Sequence, residues 1–243
     1  MKAVIFNSGL GNRMGGFTEK HHKSMARLKN GETIFHRQIR LLSAEGVREF
    51  LVTTGPFEEQ LMAEAADFPE LKFTFVRNPI YNRTNYIYSM YLAREHMQDD
   101  LLFLHGDLVF DRKLVHDVLA CSDANTGTVN YKKTLPEKDF KARVVDGKIL
   151  EVSIHIFDED CFAFQPFYKM DKATAAAWIT RVEKFIQKCE DKCYAENALN
   201  EIFAQLNVRA FSYDGYYIDE IDNLDDYARV TAEILPFDQA EGV

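Results

Sequence analysis

The feature that most constrains this chain is an alternation of short apolar runs with stretches of helical period across its first 105 residues. Residues 4–6, 50–54, 72–76 and 101–104 read as strands. Residues 32–45, 57–66 and 86–96 read as helices, the first with Phe35, Ile39 and Leu42 on one face and Gly46 after it. Strands separated by helices pair in parallel, because the crossover returns the chain to the same end of the sheet. Such a sheet needs cover on both faces. The expected fold is therefore α/β, a Rossmann-like three-layer sandwich with a mixed, mostly parallel central sheet.

The second half is less regular. Residues 126–131, 141–145, 149–154 and 161–167 read as strands, with Asp146-Gly147 as a hairpin turn. Ala175, Trp178, Ile179, Val182 and Ile186 mark a long helix that starts at the cap residue Asp171. Leu199, Ile202, Phe203 and Leu206 mark another, and a last helix starts near Asn223. No linker, repeat or low-complexity segment divides the chain, so residues 1–243 are expected to form one domain.

Charge narrows the partners. With 29 basic and 38 acidic residues the net charge is −9, which argues against nucleic acid or an anionic membrane as ligand. No run of 18 apolar residues or signal-peptide core is present, and four cysteines suit a reducing compartment; a cytoplasmic protein is expected. Cys189 and Cys193 lack a second pair to complete a metal site. Yet Arg13, Lys20, Lys23, Arg27 and Lys29 face a single acid, Glu19, over residues 12–29, a local basic island suited to a compact anion.

That island overlaps the glycine-rich segment Asn7-Ser8-Gly9-Leu10-Gly11-Asn12-Arg13-Met14-Gly15-Gly16, which follows the first strand. Glycines there let backbone N–H groups approach phosphates. A dinucleotide fingerprint fails, because Met14 stands where its third glycine belongs and no acid follows the second strand. A P-loop fails because Phe17, not Lys, follows Gly16. What remains is G-x-G-x-R with Lys23 ten residues beyond Arg13. Two acids stand at element ends: Asp107 after the fourth strand, and Asp222 in Glu220-Ile221-Asp222 before the last helix. Taken singly, each could be a turn or cap residue.

Together these motifs resemble the nucleotidyltransferases that make sugar nucleotides and CDP-activated compounds. The segments Asn78-Pro79-Ile80-Tyr81…Asn85…Ser89 and Tyr194-Ala195-Glu196-Asn197 are similar to the bacterial phosphocholine cytidylyltransferase branch. The family usually has two small residues before the first glycine and Pro before the lysine; this chain has Asn7-Ser8 and His22. The resemblance implies a nucleotide-diphospho-sugar transferase-like fold, with residues 1–110 binding the nucleotide and 111–243 the acceptor. It implies that Ser8, Gly9, Leu10, Gly11, Asn12, Arg13, Asn85, Ser89 and Gly106 bind the nucleotide, and that Arg13 and Lys23 act in catalysis. Asp107 and Asp222 would hold Mg²⁺; Lys141, Tyr194 and Glu196 would meet the acceptor. Further aromatic candidates for an acceptor ammonium are Tyr86, Tyr88, Phe164, Phe167, Tyr168 and Tyr216. The partners implied are CTP and a small phosphorylated or phosphonate acceptor, and a homo-oligomer is left open. A UTP- or dTTP-dependent sugar-1-phosphate enzyme and a non-catalytic nucleotide sensor are the rivals. A D-x-D glycosyltransferase is disfavoured because His105 stands where its first Asp belongs.

Overall fold

Strand β1 (Lys2–Asn7) is buried on both faces. Its side chains alternate between two cores: Val4 and Phe6 join the one holding Trp178, while Ala3 and Ile5 join the one holding Phe35 and Ile39. In the computed structural model, which describes residues 1–241, the chain continues through α1 (Ile34–Ala44), β2 (Glu49–Thr54), α2 (Glu58–Ala65), β3 (Lys72–Arg77), α3 (Tyr86–Ala93) and β4 (Leu101–His105). These four strands pair in parallel in the order β3-β2-β1-β4. The chain thus steps outward from β1 to β3 on one side, then returns to the other side at β4. That reversal opens a crevice above the carboxyl ends of β1 and β4, where open α/β sheets bind ligands.

Beyond β4 come β5 (Leu108–Phe110), α4 (Arg112–Ala120), β6 (Thr126–Asn130), β7 (Lys141–Val145), β8 (Lys148–Ser153) and β9 (Cys161–Met170). Then follow α5 (Lys172–Gln187), α6 (Ala195–Asn200), β10 (Arg209–Ser212), β11 (Ile218–Glu220), α7 (Leu224–Glu233) and α8 (Leu235–Glu241). The large sheet runs β3-β2-β1-β4-β9-β6-β10-β8-β7, and β7 also pairs with β9, so its last five strands close on themselves. The expectation of a mostly parallel sheet holds for the first four strands, and beyond them only β6 and β10 pair in parallel. The pairs β4–β9, β9–β6, β10–β8, β8–β7 and β7–β9 are all antiparallel. The hairpin at Asp146-Gly147, with φ of 51° and 71°, leaves no room for a crossover and forces β7 and β8 to run in opposite directions.

The helix expected across residues 199–206 is instead the short α6 and a separate 3-10 turn, Phe203–Gln205. The sequence reading also passed over β5, α4, β10 and β11. The β5–β11 pair matters most. Glu220 lies opposite Leu108, and Ile221 N–H donates to the Asp107 carbonyl at 3.1 Å, which stitches the late acidic segment to the end of β4. Among the described residues no helix is long and apolar enough to cross a membrane.

Candidate active site

The loop after β1 turns on Gly11, whose φ is 63°; a Cβ there would lie 3.0 Å from that of Lys23. A side chain at position 11 would therefore be strained and would also press on Lys23. Residues 12–19 coil into a 3-10 turn, and a second turn, Lys23–Met25, is capped by His22, whose Nδ1 accepts from Ser24 N–H at 3.2 Å. His22 Nε2 donates to the Asn7 carbonyl at 2.7 Å, so this buried ring ties the second turn to the end of β1. Burial lowers its pKa to about 4, which keeps the ring neutral and suits one donor and one acceptor nitrogen.

The Lys23 ammonium reaches Asp107 Oδ2 at 2.5 Å and Asp222 Oδ1 at 2.8 Å, and Arg13 Nη2 reaches Asp222 Oδ2 at 2.7 Å. Four groups from three distant parts of the chain thus share one charge network. Burial alone would lower the Lys23 pKa, but the two carboxylates outweigh it and raise it above the ordinary lysine value. Burial likewise works against ionised Asp107, and the Lys23 and His105 charges overcome it, holding the carboxyl below its usual range.

Beside this network Glu220 Oε1 lies 3.7 Å from His105 Nδ1. Burial lifts the Glu220 pKa to about 7 against the pull of His105, with the Asp107 and Asp222 charges adding to the rise. Burial would lower the His105 pKa, but the nearby Glu220 carboxyl and the other acids around it, Asp107 and Glu196, raise it. Asp107 Oδ1 is buried without a hydrogen-bond partner among the described residues. Carboxylate oxygens of Asp139, Glu220 and Asp222 lie within 4.8 Å of one another, as do ligand atoms of His105, Asp107 and Glu220. Carboxylate oxygens gathered this closely, one of them unpartnered, fit a small hard divalent cation. Lys23 already answers part of their demand for positive charge.

All of this lines one cleft of about 450 Å³, the size of a small-ligand site. One wall is the glycine loop, Ser8 to Arg13. The far end is aromatic: ring centroids run Tyr86–His105 at 4.8 Å, His105–Phe140 at 6.4 Å, Phe140–Tyr194 at 5.0 Å and Tyr194–Tyr86 at 6.5 Å, a closed circuit next to Glu220.

The MobA-like NTP transferase domain family matches residues 3–147, more than half the chain and the whole glycine loop. The chain belongs to this family. It is a nucleotidyltransferase. The choline-phosphate cytidylyltransferase of Streptococcus pneumoniae is 24% identical over 238 residues, 97% of this chain and 98% of that one. The CMP-5'-(3-aminopropyl)phosphonate synthase of Streptomyces rubellomurinus is 29% identical over 126 residues; the match spans 51% of this chain but only 20% of that longer protein. The solved structure of the CTP:phosphocholine cytidylyltransferase from Streptococcus pneumoniae superposes with a TM-score of 0.80 at 20% identity, covering 96% of this chain and 98% of that one.

In this nucleotidyltransferase Ser8, Gly9, Leu10, Gly11, Asn12, Arg13, Lys23, Asn85, Asp107, Tyr194 and Asp222 all line the cleft. Four expected site residues do not. Ser89 is buried behind the loop, where its hydroxyl meets Ser8 Oγ at 2.6 Å and accepts from Asn78 Nδ2 at 3.0 Å, so it braces the loop from below. Gly106 lies under the loop as well; a Cβ there would overlap the Asn7 side chain at 1.7 Å. Glu196 is sealed beneath the aromatic end, accepting from the Tyr86 hydroxyl and from Tyr168 Oη at 3.1 Å, so its carboxyl oxygens already have partners. Lys141 is fully buried, and its ammonium donates to the Ile154 carbonyl at 2.6 Å and the Pro136 carbonyl at 2.9 Å. Phe164, Phe167 and Tyr168 are core residues, and Tyr88 and Tyr216 are absent from the cleft lining. The cleft-lining residues missed are Phe6, His105, Lys138, Asp139, Phe140, Ile154 and Glu220. Glu220 carried a signal, standing two residues before Asp222 in the same motif.

Proposed function

We propose that the protein transfers the cytidylyl group of CTP to a short phosphorylated or phosphonate amine and releases pyrophosphate. The observation that carries this reading is the group of three uncharged rings, Tyr86, Phe140 and Tyr194, closed by His105 beside Glu220 and opening off the Lys23–Asp107–Asp222 network. Aromatic faces with a nearby carboxylate suit an ammonium group, whereas a sugar would need a rim of hydroxyl-directed donors and acceptors. The relatives named for choline phosphate and aminopropylphosphonate support the same class of acceptor.

In this mechanism an oxygen of the acceptor's phosphate or phosphonate attacks the α-phosphorus of CTP. A new P–O bond forms as the bond to the β-phosphate breaks, and pyrophosphate departs. The ionised acceptor is already nucleophilic, so positioning and charge neutralisation supply the catalysis. Backbone N–H groups of the glycine loop and the Arg13 guanidinium hold the departing phosphates, while Lys23 meets the α-phosphate. Asp107 and Asp222, with Glu220 and Asp139 alongside, would hold Mg²⁺, which when bound neutralises phosphate oxygens. The test is pyrophosphate release from CTP, UTP and dTTP against phosphocholine, phosphoethanolamine, aminoethylphosphonate and glucose 1-phosphate. CTP with an amine acceptor should be fastest. Faster turnover of UTP or dTTP with the sugar phosphate would sink the reading.

A further inference from the structure

Resting on that reading of the cleft, we propose that Lys138 binds the acceptor's phosphate or phosphonate, and that Lys141 is the positioning residue that presents it. Lys138 lies near the end of the segment between β6 and β7, Lys141 opens β7, and the two have opposite environments. Lys141 is fully buried and spends its ammonium on main-chain carbonyls: Pro136 at 2.9 Å, Glu137 at 3.5 Å and Ile154 at 2.6 Å. The Phe157 ring covers the same ammonium at 4.0 Å. Those partners belong to two separate segments, one before β7 and one after β8. A single buried cation therefore ties both to one point, and removing it would leave three carbonyls without that donor.

Lys138 stands on the tethered segment, exposed, and lines the cleft. It has no ion pair among the described residues, whereas Arg13 and Lys23, the other Lys or Arg side chains lining the cleft, are both held by carboxylates. Bringing two phosphorylated substrates together gathers several negative charges in one place. A cation not already committed to a carboxylate is the one best able to answer a second anion. Position along the chain favours the acceptor over CTP. Phe140, two residues on, belongs to the aromatic circuit, so one short stretch offers a cation and an aromatic face side by side. A short zwitterion, anionic at one end and an ammonium at the other, matches that pairing. Asp139 between them adjoins Glu220 and Asp222, which places Lys138 beside the reacting centre.

The test compares Lys138→Gln with Lys141→Met in the full chain. Lys138→Gln should raise KM for phosphocholine and phosphoethanolamine about tenfold, the scale of losing a charge-assisted hydrogen bond, and leave KM for CTP unchanged. By titration calorimetry its affinity for phosphoethanolamine should fall by a similar factor, with affinity for unphosphorylated ethanolamine unaltered. Lys141→Met should raise the acceptor KM in the same way while lowering thermal stability; a purely structural lysine would change stability and leave the KM ratio alone. Unchanged acceptor affinity in Lys138→Gln, or a rise in KM for CTP instead, overturns the assignment even if Lys141→Met fails to fold. A wild-type protein that binds phosphoethanolamine in a Lys138-dependent manner yet releases no pyrophosphate refutes the transfer reading and leaves this one standing.

Discussion

The two walls of the cleft are built by different means. The proposed phosphate wall is one contiguous segment, Ser8 to Arg13, laid over the end of β1 and fixed by a positive φ at Gly11. The aromatic end draws Tyr86 from α3, His105 from β4, Phe140 from the segment before β7 and Tyr194 from the turn before α6. A contiguous loop positions backbone donors that any nucleoside triphosphate can use. An end assembled from four places can change one side chain at a time without disturbing the others. The contrast suggests that donor chemistry is constrained in this fold and acceptor choice is adjustable.

Asp107 stands where the two walls meet, so its loss should harm both substrates. Asp107→Ala is expected to lower kcat at least about 100-fold, the scale of removing a preorganised electrostatic group, with the far-UV circular dichroism unchanged. Chelation with EDTA should abolish turnover in the wild type, and Mg²⁺ should restore it. A variant keeping more than about a tenth of the activity would remove Asp107 from the chemistry and break the comparison at its hinge.

The phosphate wall has its own weak point in acid. His22 is neutral in the fold, with a pKa near 4, but titrates near 6.5 once burial is lost. Below 6.5 the unfolded chain binds a proton that the folded chain refuses. The stability present above 6.5 should therefore drain away as pH falls toward 4, by on the order of 3 kcal/mol from this group. Urea unfolding at pH 7.0, 5.5 and 4.5 measures it against His22→Gln, which cannot titrate. If the wild type and the variant lose stability in parallel, the ring is not the acid-sensitive clamp of this wall.

How much of each wall could be read from sequence follows from the same contrast. The glycine loop was legible because its constraint is local: glycine spacing, Arg13 and Lys23 mark out residues that do line the cleft. Asp107 and Asp222 were legible as acids at element ends. Their meeting depends on β5 and β11, strands of three residues each, too short to show a period-2 pattern. Glu196 and Lys141, both expected to meet the acceptor, lie buried outside the cleft lining. Glu196 follows Ala195 and precedes Asn197, and Lys141 stands between Phe140 and Ala142. Nothing local reveals that two tyrosine hydroxyls satisfy one and main-chain carbonyls the other. Residue type alone suggested a ligand where the fold had already supplied partners.

The aromatic end offers the finest discrimination between the walls. Tyr194 precedes α6 and packs edge-on against Phe140, with interplanar angle 72°, so its ring, half-buried against the core, serves the circuit from outside any strand or helix. Tyr194→Ala should raise the acceptor KM by about 3- to 30-fold, the range expected for one cation–π face, and leave KM for CTP within about twofold. Tyr194→Phe keeps the face and removes only the hydroxyl, so it should behave like the wild type. Were Tyr194→Phe as impaired as Tyr194→Ala, the hydroxyl rather than the ring would do the recognising. The acceptor would then be a hydrogen-bonding group such as a polyol, and the adjustable end of the cleft would be tuned by hydroxyl contacts instead of aromatic ones.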